Sequence, residues 1–220
     1  MVAVLSTRTL EWTVAAHHGE VPWKHRADHA SAIPSSGAWM YLYSGQHRDE
    51  KTGHWFRLKD MWRVALPRAK LEDWHQLGDL NAARSSVPVL VLPSGWLLAL
   101  GGHFVADDEE IKAKGQEDVA GMIDHHRQKD FKAYNDVLAL HVDEPTATTW
   151  HVVEEDAPWP ARDDCAAAVV GDSVLLFGGG TVYGGGGYLG DVWRLPSASR
   201  RYGLKGAAGG RGGDRGSGEL

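Results

Sequence analysis

Short, almost wholly apolar runs recur along the chain, among them Val87–Leu92, Trp96–Leu100 and Val174–Phe177, separated by polar turns and glycines. Runs this short and this continuously apolar predict strands buried on both faces between stacked sheets. They also recur in register. Trp39 to Gly45, Trp96 to Gly102 and Ser173 to Gly179 each end in a glycine, doubled in the second and third cases. Each is followed by Asp60-Met61-Trp62, Asp136-Val137-Leu138 or Asp191-Val192-Trp193, and preceded by Arg26, Arg84 or Arg162.

The spacings show that the likeness is a repeat. Arginine to second glycine spans 19, 18 and 17 residues, and aspartate to the next tryptophan (Trp74, Trp150) spans 14 in both units that have one. Glycine to aspartate spans 15, 34 and 12, so the second unit carries an insertion. Composition marks the same stretch, 103–134, which holds eight acids against five bases. One unit reads as a four-stranded antiparallel meander. A repeat of one sheet per period of 58 residues, once the insertion is set aside, predicts sheets stacked radially.

On these residues the chain resembles the kelch-repeat family of β-propellers. The glycine doublet, the Asp-x-Trp after a variable loop and the tryptophan of the last strand carry the resemblance, with Ser44 and Leu138 as departures. It implies an all-β fold of kelch-type blades forming an incomplete ring of about three, at 26–76, 84–153 and 162–195. Residues 1–25 are expected to contribute the last strand of a preceding or closing blade and a linker. Trp12, Trp62, Trp74, Trp150 and Trp193 are expected to pack between blades.

Residues 196–220 hold five bases, two acids, eight glycines and almost no large apolar side chain, which predicts a disordered tail. Within it, Gly209 to Gly216 sets two arginines among glycines, which suggests RNA association as an alternative. The whole chain of 220 residues has a formal net charge of -6 and a single cysteine, Cys165, so it cannot form an internal disulfide. No apolar run approaches the roughly 20 residues of a membrane helix, and the start of the sequence lacks the apolar core of a signal peptide. A cytoplasmic or nuclear protein is the expectation.

Several spellings of chemistry fail on context. Gly185-x-Gly187-x-x-Gly190 matches a dinucleotide fingerprint, but Asp191-Val192-Trp193 begins another strand where the fingerprint requires a helix. The pairs His17-His18, His25 with His29, and His125-His126 offer no converging metal-ligand spacing, since neighbours on an extended chain point to opposite sides. Cys165 reads as a small buried hydrophobe, and Trp55 as an exposed side chain in the first variable loop. No cofactor, metal site or catalytic constellation is expected.

The resemblance therefore implies a protein-interaction module, an adaptor or scaffold, with a carbohydrate-active or small-molecule propeller enzyme as the alternative. Arg26, Arg84 and Arg162 are expected to gather around one mouth of the propeller with Gln46 and His103 beside them. Their planar donors suit an acidic peptide or a C-terminal carboxylate. Against this stands the expectation that Asp28, Asp163 and Asp164 neutralise the same arginines. Three blades leave sheet faces uncovered, so the expectation is either that two chains pair into a six-bladed ring or that the sequence is a poorly soluble fragment of a larger propeller.

Overall fold

The computed structural model describes residues 2–16, 21–51, 55–66, 74–79, 83–105, 131–142, 149–181 and 187–204. Strands β1 (Val2–Leu5) and β2 (Trp12–Ala16) form an antiparallel pair. The first unit follows with β3 (Ala30–Ala32), β4 (Trp39–Tyr43), β5 (Gln46–Arg48), β6 (Trp55–Arg57), β7 (Met61–Ala65) and β8 (His75–Gln76). Its sheet runs β3-β4-β7-β8, and β5-β6 is a hairpin built between the second and third strands. The second unit repeats the plan with β9 (Val89–Val91), β10 (Trp96–Leu100), β11 (His103–Val105), β12 (Phe131–Ala133), β13 (Val137–His141) and β14 (His151–Glu154). Here β9-β10-β13-β14 is the sheet and β11-β12 the hairpin. The third unit has three strands, β15 (Ala166–Val170), β16 (Ser173–Phe177) and β17 (Val192–Leu195), with no hairpin among the described residues.

The sheets stack face to face, and the first strands β3, β9 and β15 are neighbours. Two apolar layers result. Between the first and second sheets lie Tyr41, Tyr43 and Met61 against Val87, Leu97 and Leu138. Between the second and third, Leu98, Leu100 and Val137 meet Val174, Leu176 and Leu195. The second sheet is buried on both sides, which is why its strands read as unbroken apolar runs.

The glycine doublet has a mechanical cause. Its second residue, Gly45, Gly102 or Gly179, has φ of +98, +86 or +94°. A Cβ at Gly45 would fall 2.6 Å from Ala27 O, at Gly102 it would overlap Val87 Cγ2, and at Gly179 it would overlap Asp163 O. Only glycine fits. The first position has φ near +60°, which short polar side chains tolerate, and Ser44 occupies it with its hydroxyl donating to Arg84 O.

Two expectations need correction. The region after Pro196 is ordered at its start: a one-turn helix, α1 (Ala198–Arg201), buries Ala198 and Leu204 in the second apolar layer. Ser199 anchors it to Asp172 and Ser94. Residues 205–220 lie outside the described set. Trp12, expected between sheets, is 69% exposed on the β1–β2 pair. The expected loop at 103–134 begins and ends as the β11–β12 hairpin, and its residues 106–130 lie outside the described set.

Candidate interaction face

Each opening arginine grips the aspartate that precedes its own unit's third strand. Arg26 donates to both carboxylate oxygens of Asp60 at 2.7 Å, Arg84 to Asp136 at 2.8 and 3.1 Å, and Arg162 to Asp191 at 2.7 and 2.8 Å. In all three, Nη1 also donates to the carbonyl of the first doublet residue, Ser44, Gly101 or Gly178, at 2.9 Å. The Asp-x-Trp motif completes this clamp: the indole N–H of Trp62 donates to Asp60 Oδ2 at 2.7 Å, and that of Trp193 to Asp191 Oδ2 at 2.5 Å. Leu138 removes that donor from the second unit. There the Arg84 guanidinium instead lies 4.0 Å from the centroid of the Tyr134 ring, a cation–π contact.

These donors govern the carboxylates. Burial alone would raise the Asp60 carboxyl, but the Arg26 guanidinium and Trp62 indole outweigh it and hold the group below its ordinary range. Hydrogen bonds from Arg162, then from Trp193, hold Asp191 well below that range.

The arginines therefore do come to equivalent positions, but their forks end on Asp60, Asp136 and Asp191 rather than on Asp28, Asp163 or Asp164. Arg84 and Arg162 have no solvent exposure. An incoming carboxylate would have to displace a bidentate internal partner to reach either.

The next positions along the chain pair across each unit: Ala27 with Gln46, Ser85 with His103, and Asp163 with Gly180, each through an isolated β-bridge. Gln46 donates to the Asp28 carboxylate. His103 is not at an open mouth. Its Nε2 lies 3.0 Å from Ser85 Oγ and its Nδ1 2.9 Å from Asp163 Oδ2, with Asp163 supplied by the third unit. Ser85, His103 and Asp163 thus have the connectivity of a nucleophile, base and orienting acid. All three are closed to solvent, at 0, 3 and 3% exposure, so the chain of contacts joins two sheets and offers no approach to a substrate. Ser85 and Asp163 each directly follow an opening arginine, a repeat position that could have revealed their relation to His103 in the sequence.

The hairpins β5–β6 and β11–β12 grow from this same end. Beside the second, a 430 Å³ cavity is lined by Lys132, Tyr134, Asn135 and Glu155 around the Arg84–Asp136 pair. Among the described residues no group of histidine, cysteine and carboxylate side chains could hold a metal ion. His17-His18 and His125-His126 lie outside the described residues. His29 is pushed down by burial and by Arg26, partly offset by Asp28. Burial pushes the Cys165 thiol up to about 11, which leaves it an inert thiol. No helix among the described residues is long and apolar enough to cross a membrane.

Stacked antiparallel sheets with neighbouring first strands define a β-sheet fold of propeller type, and comparison with solved structures agrees. The chain is similar to the structure of YjhT, with a TM-score of 0.59 at 17% identity over 86% of this chain and 47% of that one. It spans just under half the length of that protein. No protein-family profile and no curated sequence matches the chain.

Proposed function

We propose that the chain is a kelch-type propeller module that binds a protein partner through the end of its blades bearing the β5–β6 and β11–β12 hairpins. The observation supporting this reading is the division of labour at that end. The arginine clamps and the Ser85–His103–Asp163 contacts are buried and spent on the scaffold, whereas the hairpins rooted beside them extend the blades. Loops carried on a rigid scaffold are the usual seat of recognition. Gln46 belongs to the first hairpin's root, and exposed bases stand on each hairpin, Arg48 on β5 and Lys132 on β12.

An acidic peptide or a terminal carboxylate is then met by these hairpin bases, with the clamp arginines holding the frame. Titration of the chain into a fluorescent peptide rich in glutamate and ending in a free carboxylate tests this. Arg48→Glu combined with Lys132→Glu should weaken binding at least tenfold without lowering the melting temperature. Undiminished binding by that variant rejects the site.

A further inference from the structure

The forward face of the third blade repeats, position for position, the faces that the first two blades bury against their successors. Tyr43 and Met61 of the first blade are a cross-strand pair, as are Leu100 and Val137 of the second and Phe177 and Val192 of the third. The first two pairs are 0 to 1% exposed; Phe177 and Val192 are 56 and 65% exposed. Leu92, eight residues after Arg84, is sealed in the core, while Val170, eight after Arg162, is 61% exposed. Ala168 stands open between them. The sheet thus presents an apolar patch, crossed by the exposed Arg194 at the position that Arg63 holds in the first blade, whose counterparts are both interfaces.

The backbone says what kind of surface should cover it. At each internal junction the opening arginine of the later blade ties itself to the earlier one by two hydrogen bonds. Gly45 N–H donates to Arg84 O at 3.2 Å and Arg84 N–H to Leu58 O at 3.3 Å. Gly102 N–H donates to Arg162 O and Arg162 N–H to Tyr134 O, both at 3.0 Å. The equivalent groups at the free end are Gly179 N–H and Leu189 O, and at the opposite end Arg26 N–H and Arg26 O. None of the four has a partner of this kind among the described residues. Donor and acceptor at one end match acceptor and donor at the other.

From this we infer that a second copy of this chain covers the patch, head to tail, with the third blade of each protomer against the first blade of the other. The aligned part of this chain covers 47% of the similar solved chain, so two copies match that chain in extent. The receiving face of the first blade is more polar than its counterparts, with His29, Ser31 and Ile33 where the second blade has Val87, Val89 and Val91. The contact between copies is accordingly weaker than either internal junction, and concentration-dependent.

Sedimentation velocity on the whole chain, from one to one hundred micromolar, tests the inference. The expected result is a species of twice the 24.0 kDa chain mass that saturates there. Phe177→Glu with Val192→Glu should abolish it, and so should Ile33→Glu on the other face, with circular dichroism unchanged. A wild-type chain that stays monomeric overturns the proposal. Species growing beyond the dimer overturn ring closure. Loss of the dimer by the Phe177 variant but not by Ile33→Glu overturns the head-to-tail arrangement in favour of two third blades face to face. Hydrogen exchange on the wild-type chain is independent of how any variant folds: protection of the Gly179 amide must rise with protein concentration, and constant protection rejects the contact.

Discussion

Arg84 and Asp136 are separated by 52 residues and meet through two parallel N–H···O bonds inside the second blade. The pair links the start of the first strand to the start of the third across the whole acidic insertion. Breaking such a pair by removing one partner leaves a charge buried without compensation, which costs about 3–5 kcal/mol. Arg84→Ala is therefore expected to lower stability by about that amount in urea denaturation. Replacing both members, as Arg84→Met with Asp136→Leu, should recover most of it. A single variant as stable as the wild type would return Arg84 to the pool of ligand-binding residues.

The clamps also predict a response to acid. Asp60 and Asp191 have folded pKa values below their unfolded ones, the latter strongly. The stability they contribute is fully present above the unfolded value of about 3.9 and is lost as pH falls through the lower folded values. The melting temperature should accordingly hold steady near neutrality, as far as these two groups govern it, and fall below about pH 4. Trp193→Phe removes one of the donors to Asp191 and should move the carboxyl's titration, followed by NMR, toward its ordinary range. An unchanged titration would mean that Arg162 alone sets it.

How much of this was legible in the sequence depends on distance along the chain. The all-β fold and its antiparallel sheets followed from spacing, because each strand is a local apolar run. The clamp residues were visible as motifs, but their pairing was not. Asp28, Asp163 and Asp164 are close to the arginines in sequence, whereas the true partners lie 34, 52 and 29 residues away. The blade brings the ends of its first and third strands together. Asp28 and Asp164, with Ser86, hold the same left-handed turn two residues after each arginine, with φ near +50°. Helix α1 was hidden because one turn leaves no periodic pattern, and its burial comes from two small anchor points in a glycine-rich stretch.

The doublet separates two kinds of substitution. Ser44→Gly should change stability by less than about 1 kcal/mol, since the position already tolerates its side chain and conformation. Gly102→Ala forces a methyl group against Val87 and the Ser85 carbonyl in a conformation that costs an L-residue about 1–2 kcal/mol by itself. With the overlap added, a loss of roughly 2–4 kcal/mol is expected, measured by chemical denaturation. Near-equal effects at the two positions would mean that the doublet is not the mechanical joint described above.

The buried Ser85–His103–Asp163 contacts allow structural and nucleophilic roles to be separated directly. A working nucleophile must be reached by its substrate, and Ser85 has no solvent exposure. The folded chain should therefore show no labelling by a fluorophosphonate probe at Ser85 when the adduct is sought by peptide mass spectrometry. Ser85→Ala removes one of the ring's hydrogen-bonding neighbours, and an unmet buried polar group costs about 1–3 kcal/mol. Asp163→Asn should destabilise as well, because the carboxylate faces His103 across the junction between the second and third blades. Stoichiometric labelling that Asp163→Asn abolishes would show that the blades part to admit a reagent, and would reopen the enzymatic reading.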